Sequence, residues 1–461
     1  MKKTIIAIFL IIAILPLSAQ PTTSLSLREG SGVRLLSLSQ LKDSALHNNI
    51  AIRNAYHDID AAQEQRKEAF TKYFPNVSGT GLWVNTNKGM AKMDINPSEY
   101  ITPELGASLA QMLPPEALAS LGSPMSMTMT KNGTIAGITA VQPVFAGGQI
   151  VNGNRLAKVG EDVSRLQLQL SQKEVERQTE QYYWQLVTLQ EKLKTIEAVQ
   201  ALLADIHKDV EVAVRAGVAM RNDLLQVQLR QNDVESNKVK LNNGINIVRM
   251  LLAQYCGIHS NQFSVKSAEI RDISSMQVTR QDYDQALQGT TEYQLLNKQV
   301  EATKLQRKME IGKNMPTVGV GAGYNYHNLL DNDRTFGMIF ATVNVPISDW
   351  WGGSHSIKRK KIEQQKAEEQ LADNSELLKI RMQNAWNNVE EAYQQLQIAN
   401  RSIEQAEENL RLNRDYYKAG TSRMSDLLEA QLLYQQSLDK RVDAYADYQN
   451  KLLEYRQATG Q

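Results

Sequence analysis

The stretch KAGTSRMSDLLEAQ at residues 418–431 has a near copy, RAGVAMRNDLLQVQ, at residues 215–228. In both, a glycine (Gly217 or Gly420) is followed six residues later by Asp-Leu-Leu. Long segments poor in glycine flank each copy, and glycine at a helix end supplies the left-handed backbone conformation of a tight turn. Each stretch therefore predicts the tip of a hairpin of two long helices, and the pair predicts an internal duplication.

The duplication extends over most of the chain. We call the displacement along the sequence from Gly217 to Gly420 the repeat shift. The same displacement relates Pro143 to Pro346. Farther upstream a larger shift is needed, and it carries Pro75 onto Pro316. The difference between the two shifts indicates an insertion between Pro75 and Pro143. Each repeat is predicted to run helix, strand, loop, strand, long helix, tip, long helix.

The segments around the tips carry the heptad spacing of coiled coils. Between Gly148 and Gly217 glycine occurs only near the start, which predicts one helix of about 65 residues, roughly 100 Å long. Apolar or aromatic residues recur every seven positions in both repeats, a pattern that favours helices packed side by side. These residues are Leu189, Ile196, Leu203 and Val210, then Leu396, Ile403, Leu410 and Tyr417.

Four strands are predicted, at about 75–85, 133–145, 316–327 and 335–347. Each has about the length that a tilted strand needs to cross a bilayer. Four transmembrane strands cannot close a barrel, because the smallest barrels use about eight and open edges are not tolerated in lipid. If the strands span a membrane, several chains must share one barrel. The alternative is two ordinary hairpins on a soluble helical protein.

The N-terminus predicts export. Residues 1–19 are expected to be a secretory signal peptide, because two lysines precede an apolar run from Ile5 to Leu15 and a small residue precedes the cut. Residues 20–37 form a predicted N-terminal extension. No later stretch approaches the roughly 18 apolar residues of a transmembrane helix.

No signature of enzyme chemistry is found in the sequence. Zinc-protease, phosphate-loop and nucleophile-elbow motifs are missing, the histidines lack metal-ligand spacing, and the only cysteine, Cys256, excludes internal disulfides. The formal net charge of +1 predicts no global attraction to nucleic acid. We therefore expect a protein that is not an enzyme and needs neither cofactor nor metal.

The tip pattern, the motifs QPVFAGG (142–148) and VPISDWWGG (345–353), and the duplication resemble the TolC family of outer membrane efflux proteins over about residues 38–461. The resemblance implies a mainly α fold with a β-barrel part. In it, a homotrimer forms a 12-stranded transmembrane β-barrel continued by a 12-helix periplasmic coiled-coil tunnel. The first repeat is placed at 38–257, an equatorial linker at 258–279 and the second repeat at 280–461.

The resemblance also assigns roles at the tips. Asp426 and Glu429 fall where the family carries an acidic ring at the periplasmic entrance, which focuses a negative potential. Tyr417 and Asp223 fall where a hydrogen bond between helices holds the closed channel. Alternatively, Asp223 and Asp426 cap the returning helices, since each opens an apolar run after a turn.

A third gate contact is expected from Arg423. It lies one residue beyond the position of the family's gate arginine, which is Ser422 in this chain. The tips around Gly217 and Gly420 are expected to dock a periplasmic adaptor.

The function implied is a passive exit duct in the outer membrane, in contact with its lipid and extending into the periplasm. An inner membrane transporter would supply the energy and deliver small molecules, such as drugs and toxic compounds, through the adaptor. Two alternatives stay open: a type I protein-secretion duct, and a soluble periplasmic coiled-coil scaffold.

The insertion, at about residues 86–131, is the one region peculiar to the first repeat. It holds six of the chain's 15 methionines, including Met125, Met127 and Met129 at strand alternation. Thioether sulfurs can bind Cu(I), which would fit copper export. The interpretation we favour is an apolar external loop with a short helix at 103–121, because methionine usually fills gaps between apolar groups.

Overall fold

The computed structural model of the protein describes residues 34–87, 91–96, 101–117, 125–129, 132–259, 263–266, 273–328 and 333–461. Long helices dominate these residues, together with one four-stranded sheet and two pairs of short strands. This confirms the predicted class of a mainly helical fold with a β part. The predicted signal peptide (1–19) and most of the extension (20–37) lie outside the described residues. No helix within the described ranges is long and apolar enough to cross a membrane.

The elements occur in the predicted order in each half. Those of the first half are β1 (Arg34–Leu36), α1 (Leu38–Asn48), α2 (Ile50–Thr71), β2 (Asn76–Asn85), β3 (Ala91–Ile95), α3 (Pro103–Met112), β4 (Met125–Met129), β5 (Asn132–Ala146), α4 (Gln149–Arg215) and α5 (Arg221–Cys256). Those of the second half are β6 (Phe263–Val265), α6 (Tyr283–Gly289), α7 (Thr291–Lys313), β7 (Thr317–His327), β8 (Arg334–Asn344), α8 (Asp349–Lys418) and α9 (Met424–Ala458).

Two segments differ in detail from the sequence-based expectation. The strand expected at 335–347 begins at Arg334 and ends at Asn344. Pro346 follows closely, and proline lacks the N–H that would extend a ladder. The segment at 86–131, expected to be an external loop with a short helix at 103–121, does contain a helix there, α3. It also contains an antiparallel pairing of β3 with β4, which was not expected, in which Met93 is opposite Met127.

Both hairpin tips close with the same backbone motif. At the second tip, Gly420 has φ 72° and its N–H donates to the Tyr417 carbonyl at 3.0 Å. The next residue, Thr421, donates to the Tyr416 carbonyl at 3.0 Å. At the first tip, Gly217 has φ 78° and its N–H donates to the Val214 carbonyl, while the Val218 N–H donates to the Ala213 carbonyl. This pair of bonds is the Schellman motif, which ends a helix and requires the left-handed conformation.

The repeat shift holds along the whole of the returning helices. α5 is followed by Gly257 with φ 66°, and α9 ends shortly before Gly460 with φ 77°. The shift that relates the two tip glycines also relates Gly257 to Gly460. On the outgoing helices it relates Tyr183 to Trp386, and both of these side chains are buried. The two hairpins are thus equivalent units at residue level.

The four long helices form a layer. α5 packs on α4, α4 packs on α9, and α9 packs on α8, so that α5 and α8 are the outer members. α5 also touches α9. A large core, away from the tips, contains aromatic contacts between the helices, such as Trp184 with Tyr445 at 5.6 Å and Trp386 with Tyr455 at 5.3 Å between ring centroids.

The main sheet has four antiparallel strands in the order β2-β5-β7-β8. Residues directly opposite one another share a face, so the register defines two faces. The face that we call the apolar face carries no charged side chain within these strands. The opposite face carries both apolar and polar side chains, including His327 and Arg334. The apolar face includes Val77, Trp83, Ala136, Ile138, Ala140, Val318, Val320, Ala322, Tyr324, Tyr326, Ile339, Ala341 and Val343.

Replacing glycine by alanine is predicted to have opposite effects on the stability of the protein at two positions, one in the left-handed turn and one inside a helix. Gly420→Ala should lower the free energy of unfolding by about 1 kcal/mol, because a residue with a Cβ pays roughly that to adopt the left-handed conformation. Gly160→Ala should raise it by about 0.5–1 kcal/mol, because alanine is a better helix former. Gly160 lies inside α4, and an added methyl group there meets no atom within 4 Å.

Thermal unfolding of the purified protein, followed by circular dichroism, measures the change in stability of both variants. The same open space surrounds Gly420, so steric contact does not complicate the comparison. Shifts of the same sign for the two variants would contradict the role assigned to the turn.

Candidate entrance at the hairpin tips

The two tips are held together by a small apolar cluster of their own. The tip cluster contains side chains from all four long helices, and it is separate from the larger core. Met424 and Leu427, from the first turn of α9, are 1% and 2% exposed within it. Other members are Ile196, Val199, Leu203, Ile206, Val210, Val227 and Val234, with Leu410 and Tyr417 packed against them.

Asp426 organises the start of α9. Its carboxylate accepts a hydrogen bond from the Arg423 N–H at 3.1 Å, and others from the hydroxyls of Ser422 at 3.1 Å and Ser425 at 3.2 Å. The backbone bond first, and then the two hydroxyls, hold the pKa of Asp426 below its usual value. Asp426 is the third helical residue and Arg423 the N-cap, so the aspartate provides half of a capping box.

Asp223 does the same for α5. Its carboxylate accepts a hydrogen bond from the N–H of Met220, the N-cap residue, at 3.3 Å. The capping alternative raised by the sequence therefore fits both aspartates, with one correction. Each caps from the third helical position and not from the N-cap itself, because the turn ends three residues before the aspartate.

Tyr417 lies close to Asp223. Burial in the tip cluster first, and then the negative charge of Asp223, raise the pKa of the Tyr417 phenol. Within the described part of the chain, no hydrogen bond joins the two side chains. The structure thus brings together the two residues predicted to form the gate contact, and their role in gating stays a prediction.

Glu429 is exposed and lies three residues after Asp426 on α9. That spacing places the two carboxylates on one side of the helix. The first repeat has Gln226 in place of Glu429, so the negative charge is concentrated on the second tip. Arg423 is exposed near them, and its backbone N–H donates a hydrogen bond to the Asp426 carboxylate.

A sequence model of outer membrane efflux proteins matches residues 41–257 and 283–461, that is, both repeats without the linker. The chain belongs to this family. The resemblance inferred from the tip motifs is thereby confirmed, and with it a location in the outer membrane with a tunnel reaching into the periplasm. The family consists of channels and not of enzymes.

Solved structures agree on the fold. VceC of Vibrio cholerae is 14% identical, with 92% of this chain and 96% of that chain covered and a TM-score of 0.70. CmeC of Campylobacter jejuni is 13% identical, with 92% and 85% covered and a TM-score of 0.72. The open state of MtrE of Neisseria gonorrhoeae is 14% identical, with 92% and 88% covered and a TM-score of 0.67. A comparison with curated protein sequences found no match.

The sequence reasoning missed a polar cluster near the tips of this efflux protein. Arg230 of α5 donates from Nε to the Gln431 side-chain oxygen at 3.1 Å and from a terminal nitrogen to that of Gln435 at 3.0 Å. Gln431 is fully buried, and burial lowers the pKa of Arg230. We call these three residues the Arg230 cluster. The only sequence signal for it is an arginine where the second repeat has Leu433.

Within the described ranges, no group of three or more His, Cys, Asp or Glu side chains could hold a metal ion. Cys256 is fully buried, and burial raises the pKa of its thiol to about 12. Since the thiolate is the reactive form, Cys256 is unreactive in the folded protein.

The capping role of Asp426 predicts a pH-dependent stability. Because the folded pKa is lowered, the stabilisation is complete above the usual aspartate pKa of about 4 and is lost as the pH falls through the folded value. Asp426→Asn should therefore have a lower melting temperature than the wild type at pH 7, and the difference should disappear in acid.

Melting temperatures measured between pH 2.5 and 7 test this. Glu429→Gln is the matched control, since it removes a carboxylate from the same turn without removing the cap. A pH-independent difference between Asp426→Asn and the wild type would contradict the capping role.

Proposed function

We propose that the protein is the outer membrane channel of a tripartite efflux system, a passive exit duct for small molecules. An inner membrane pump supplies the energy, and a periplasmic adaptor joins the pump to the helical tips. The observation that carries this proposal is the four-stranded sheet with an uncharged apolar face and two unpaired edges, in a member of the outer membrane efflux family.

The sheet supports a homotrimer. Its edge strands, β2 and β8, run antiparallel to each other, so β8 of one copy can pair with β2 of the next and keep the alternation. Their lengths match, at 10 and 11 residues. Three copies would supply twelve strands, above the minimum of about eight for a closed barrel. The apolar face would then meet lipid, where Ile339 is 91% exposed in the single chain.

The outer helices support the same arrangement. On α8, Ile362, Ile380, Ile398 and Tyr416 are exposed and evenly spaced. The interval between them corresponds to about five complete helical turns, so they lie in one line along the helix. On α5, a second exposed stripe comprises Leu225, Leu229, Val239, Ile247 and Met250. A neighbouring copy would cover both stripes, α5 of one copy packing on α8 of the next. In this arrangement the tunnel would close by the same rotation between copies as the sheet.

The tips would form the periplasmic entrance. Asp426 and Glu429 from three copies would make a ring of six carboxylates, which attracts cations in a narrow passage. Contact between Tyr417 and Asp223 would hold the closed form. The adaptor would dock around Gly217 and Gly420, where the first tip presents apolar side chains: Val218 is 80% exposed and Met220 is 75% exposed.

Family membership removes one of the alternatives, the soluble periplasmic scaffold. Native mass spectrometry of the protein extracted from outer membranes tests the assembly. Particles of three copies are expected; a monomer that stays intact in mild detergent and conducts no ions in a bilayer would contradict the proposal.

The acidic ring is tested by Asp426→Ala combined with Glu429→Ala. In planar bilayers the double variant should lose most of its preference for cations over anions and its block by polyvalent cations, because the fixed charges that concentrate cations are gone. Reversal potentials in a salt gradient measure the preference.

The matched control is Asp58→Ala combined with Asp60→Ala, which removes the same charge from exposed positions on α2, away from the tips. Its selectivity should equal that of the wild type. Equal selectivity in the tip variant and the wild type would eliminate Asp426 and Glu429 as the ring.

A further inference from the structure

We propose that a belt of basic side chains just below the main sheet binds the phosphate headgroups of anionic phospholipids in the periplasmic leaflet of the outer membrane. This inference rests on the proposed placement of the sheet in that membrane. The basic belt comprises the four segments in which helices meet the sheet, each reaching about four helical turns from a strand. They are the end of α2 (62–75), the start of α4 (149–160), the end of α7 (304–316) and the start of α8 (349–361).

The basic belt differs in charge from the rest of the chain. The chain as a whole is almost neutral, with 51 Lys and Arg and 50 Asp and Glu. The four segments of the belt contain thirteen Lys and Arg but only four Asp and Glu. The four strands of the main sheet contain a single arginine, Arg334, and no other Lys, Arg, Asp or Glu. Positive charge is therefore concentrated at one level of the molecule, where the helices leave the sheet.

Exposed aromatic side chains lie between the basic belt and the strands. Trp351, near the start of α8, is 80% exposed, and Phe74, just before β2, is 55% exposed. Large aromatic side chains are typical of the level at which hydrocarbon gives way to water. Lys358 follows Trp351 by seven residues, which is about 10 Å farther along α8. A lysine side chain there can extend back toward the headgroups while its stem packs against apolar groups.

The basic side chains of α4 and α7 lie on the lipid side of the proposed channel wall. Near the sheet α4 packs between α2 and α7, and α7 packs between α4 and α8, so each helix has two free sides. One side is a groove that Asn76 and Pro143 also line, and both belong to the sheet face opposite the apolar face. Arg155, Lys158 and Lys308 are exposed without lining this groove. They therefore lie on the side that continues the apolar face.

The start of α8 presents basic side chains in all directions. Lys358, Arg359, Lys360 and Lys361 are consecutive, and successive residues of a helix point about 100° apart. The Glu363 carboxylate lies 2.6 Å from Lys360 and 3.9 Å from Arg359. Lys358 and Lys361 are exposed and form no ion pair within the described part of the chain. These two ammonium groups, one helical turn apart, are available to an external anion.

Location and charge together favour a phospholipid as this anion. The protein lies in the outer membrane with its tunnel in the periplasm, so a belt beneath the sheet would lie at the periplasmic membrane surface. Basic side chains are attracted to an anionic lipid surface only when they lie within about 10 Å of it at moderate salt. The basic belt meets this condition, and phosphate oxygens accept hydrogen bonds from both ammonium and guanidinium groups.

The test is lipid retention, measured by native mass spectrometry of the full-length protein extracted from vesicles of equal parts phosphatidylglycerol and phosphatidylcholine. The wild type should retain phosphatidylglycerol at least about threefold over phosphatidylcholine, because only the former has a net negative charge. A belt variant should retain the two lipids equally. It combines Arg155→Gln, Lys158→Gln, Lys308→Gln, Lys358→Gln and Lys361→Gln.

The matched control removes the same charge from exposed positions away from the sheet, and it should keep the wild-type ratio. It combines Lys208→Gln, Lys240→Gln, Lys266→Gln, Arg401→Gln and Lys440→Gln. A second measurement uses the unmodified protein and serves if the belt variant does not fold. Raising the salt from about 0.1 M to about 0.5 M should lower the wild-type ratio toward one, because salt screens exposed charges.

A wild-type ratio of one, or an equal loss of preference in the belt and control variants, would overturn the inference. Binding to sedimented peptidoglycan that only the belt variant loses, without a preference for phosphatidylglycerol, would assign the basic belt to the cell wall and overturn the lipid assignment. A protein that conducts ions without the lipid preference leaves the proposed function intact. A protein that prefers phosphatidylglycerol but conducts no ions contradicts the proposed channel and not the lipid site.

Discussion

The rest of the structure depends on a constraint on the backbone of β2 and β8. Each is the edge of a sheet, so one side of each strand has N–H and C=O groups without partners in the same sheet. In hydrocarbon every such group costs several kcal/mol, and only closed barrels and helices avoid this cost. In the channel proposed above, other copies of the chain would therefore complete the barrel.

In the proposed channel the helical part also requires neighbouring copies, but here the driving force is the burial of apolar side chains. Its outer helices, α5 and α8, expose apolar side chains whose hydration is unfavourable. In the proposed trimer, coiled-coil contact between neighbouring copies would bury these side chains in the same way as it buries apolar side chains inside each chain. α5 and α8 each lie at an outer position of the four-helix layer. In the proposed trimer they would make the contacts between copies that close the tunnel.

The tips combine two roles in few residues. The carboxylates of Asp426 and Asp223 each accept a hydrogen bond from the backbone N–H of the N-cap residue of a returning helix, and the same carboxylates stand at the proposed entrance. Substituting either aspartate therefore changes both a helix start and a local charge. Glu429 bears charge without capping. Comparing Asp426 with Glu429 separates the structural role from the electrostatic one within a single helical turn.

The sequence by itself determined the duplication, the long helices, the strand positions and the two turns, because glycine conformation, heptads and two-residue alternation are local signals. It also carried the tip motifs that identify the family. The tertiary structure alone decided that Asp223 and Asp426 cap from the third helical position, which helices lie outermost, and that Arg230 meets Gln431 and Gln435. The last contact joins residues 201 and 205 positions apart. No periodicity encodes such a pairing, since it depends on how two separately formed hairpins pack against each other.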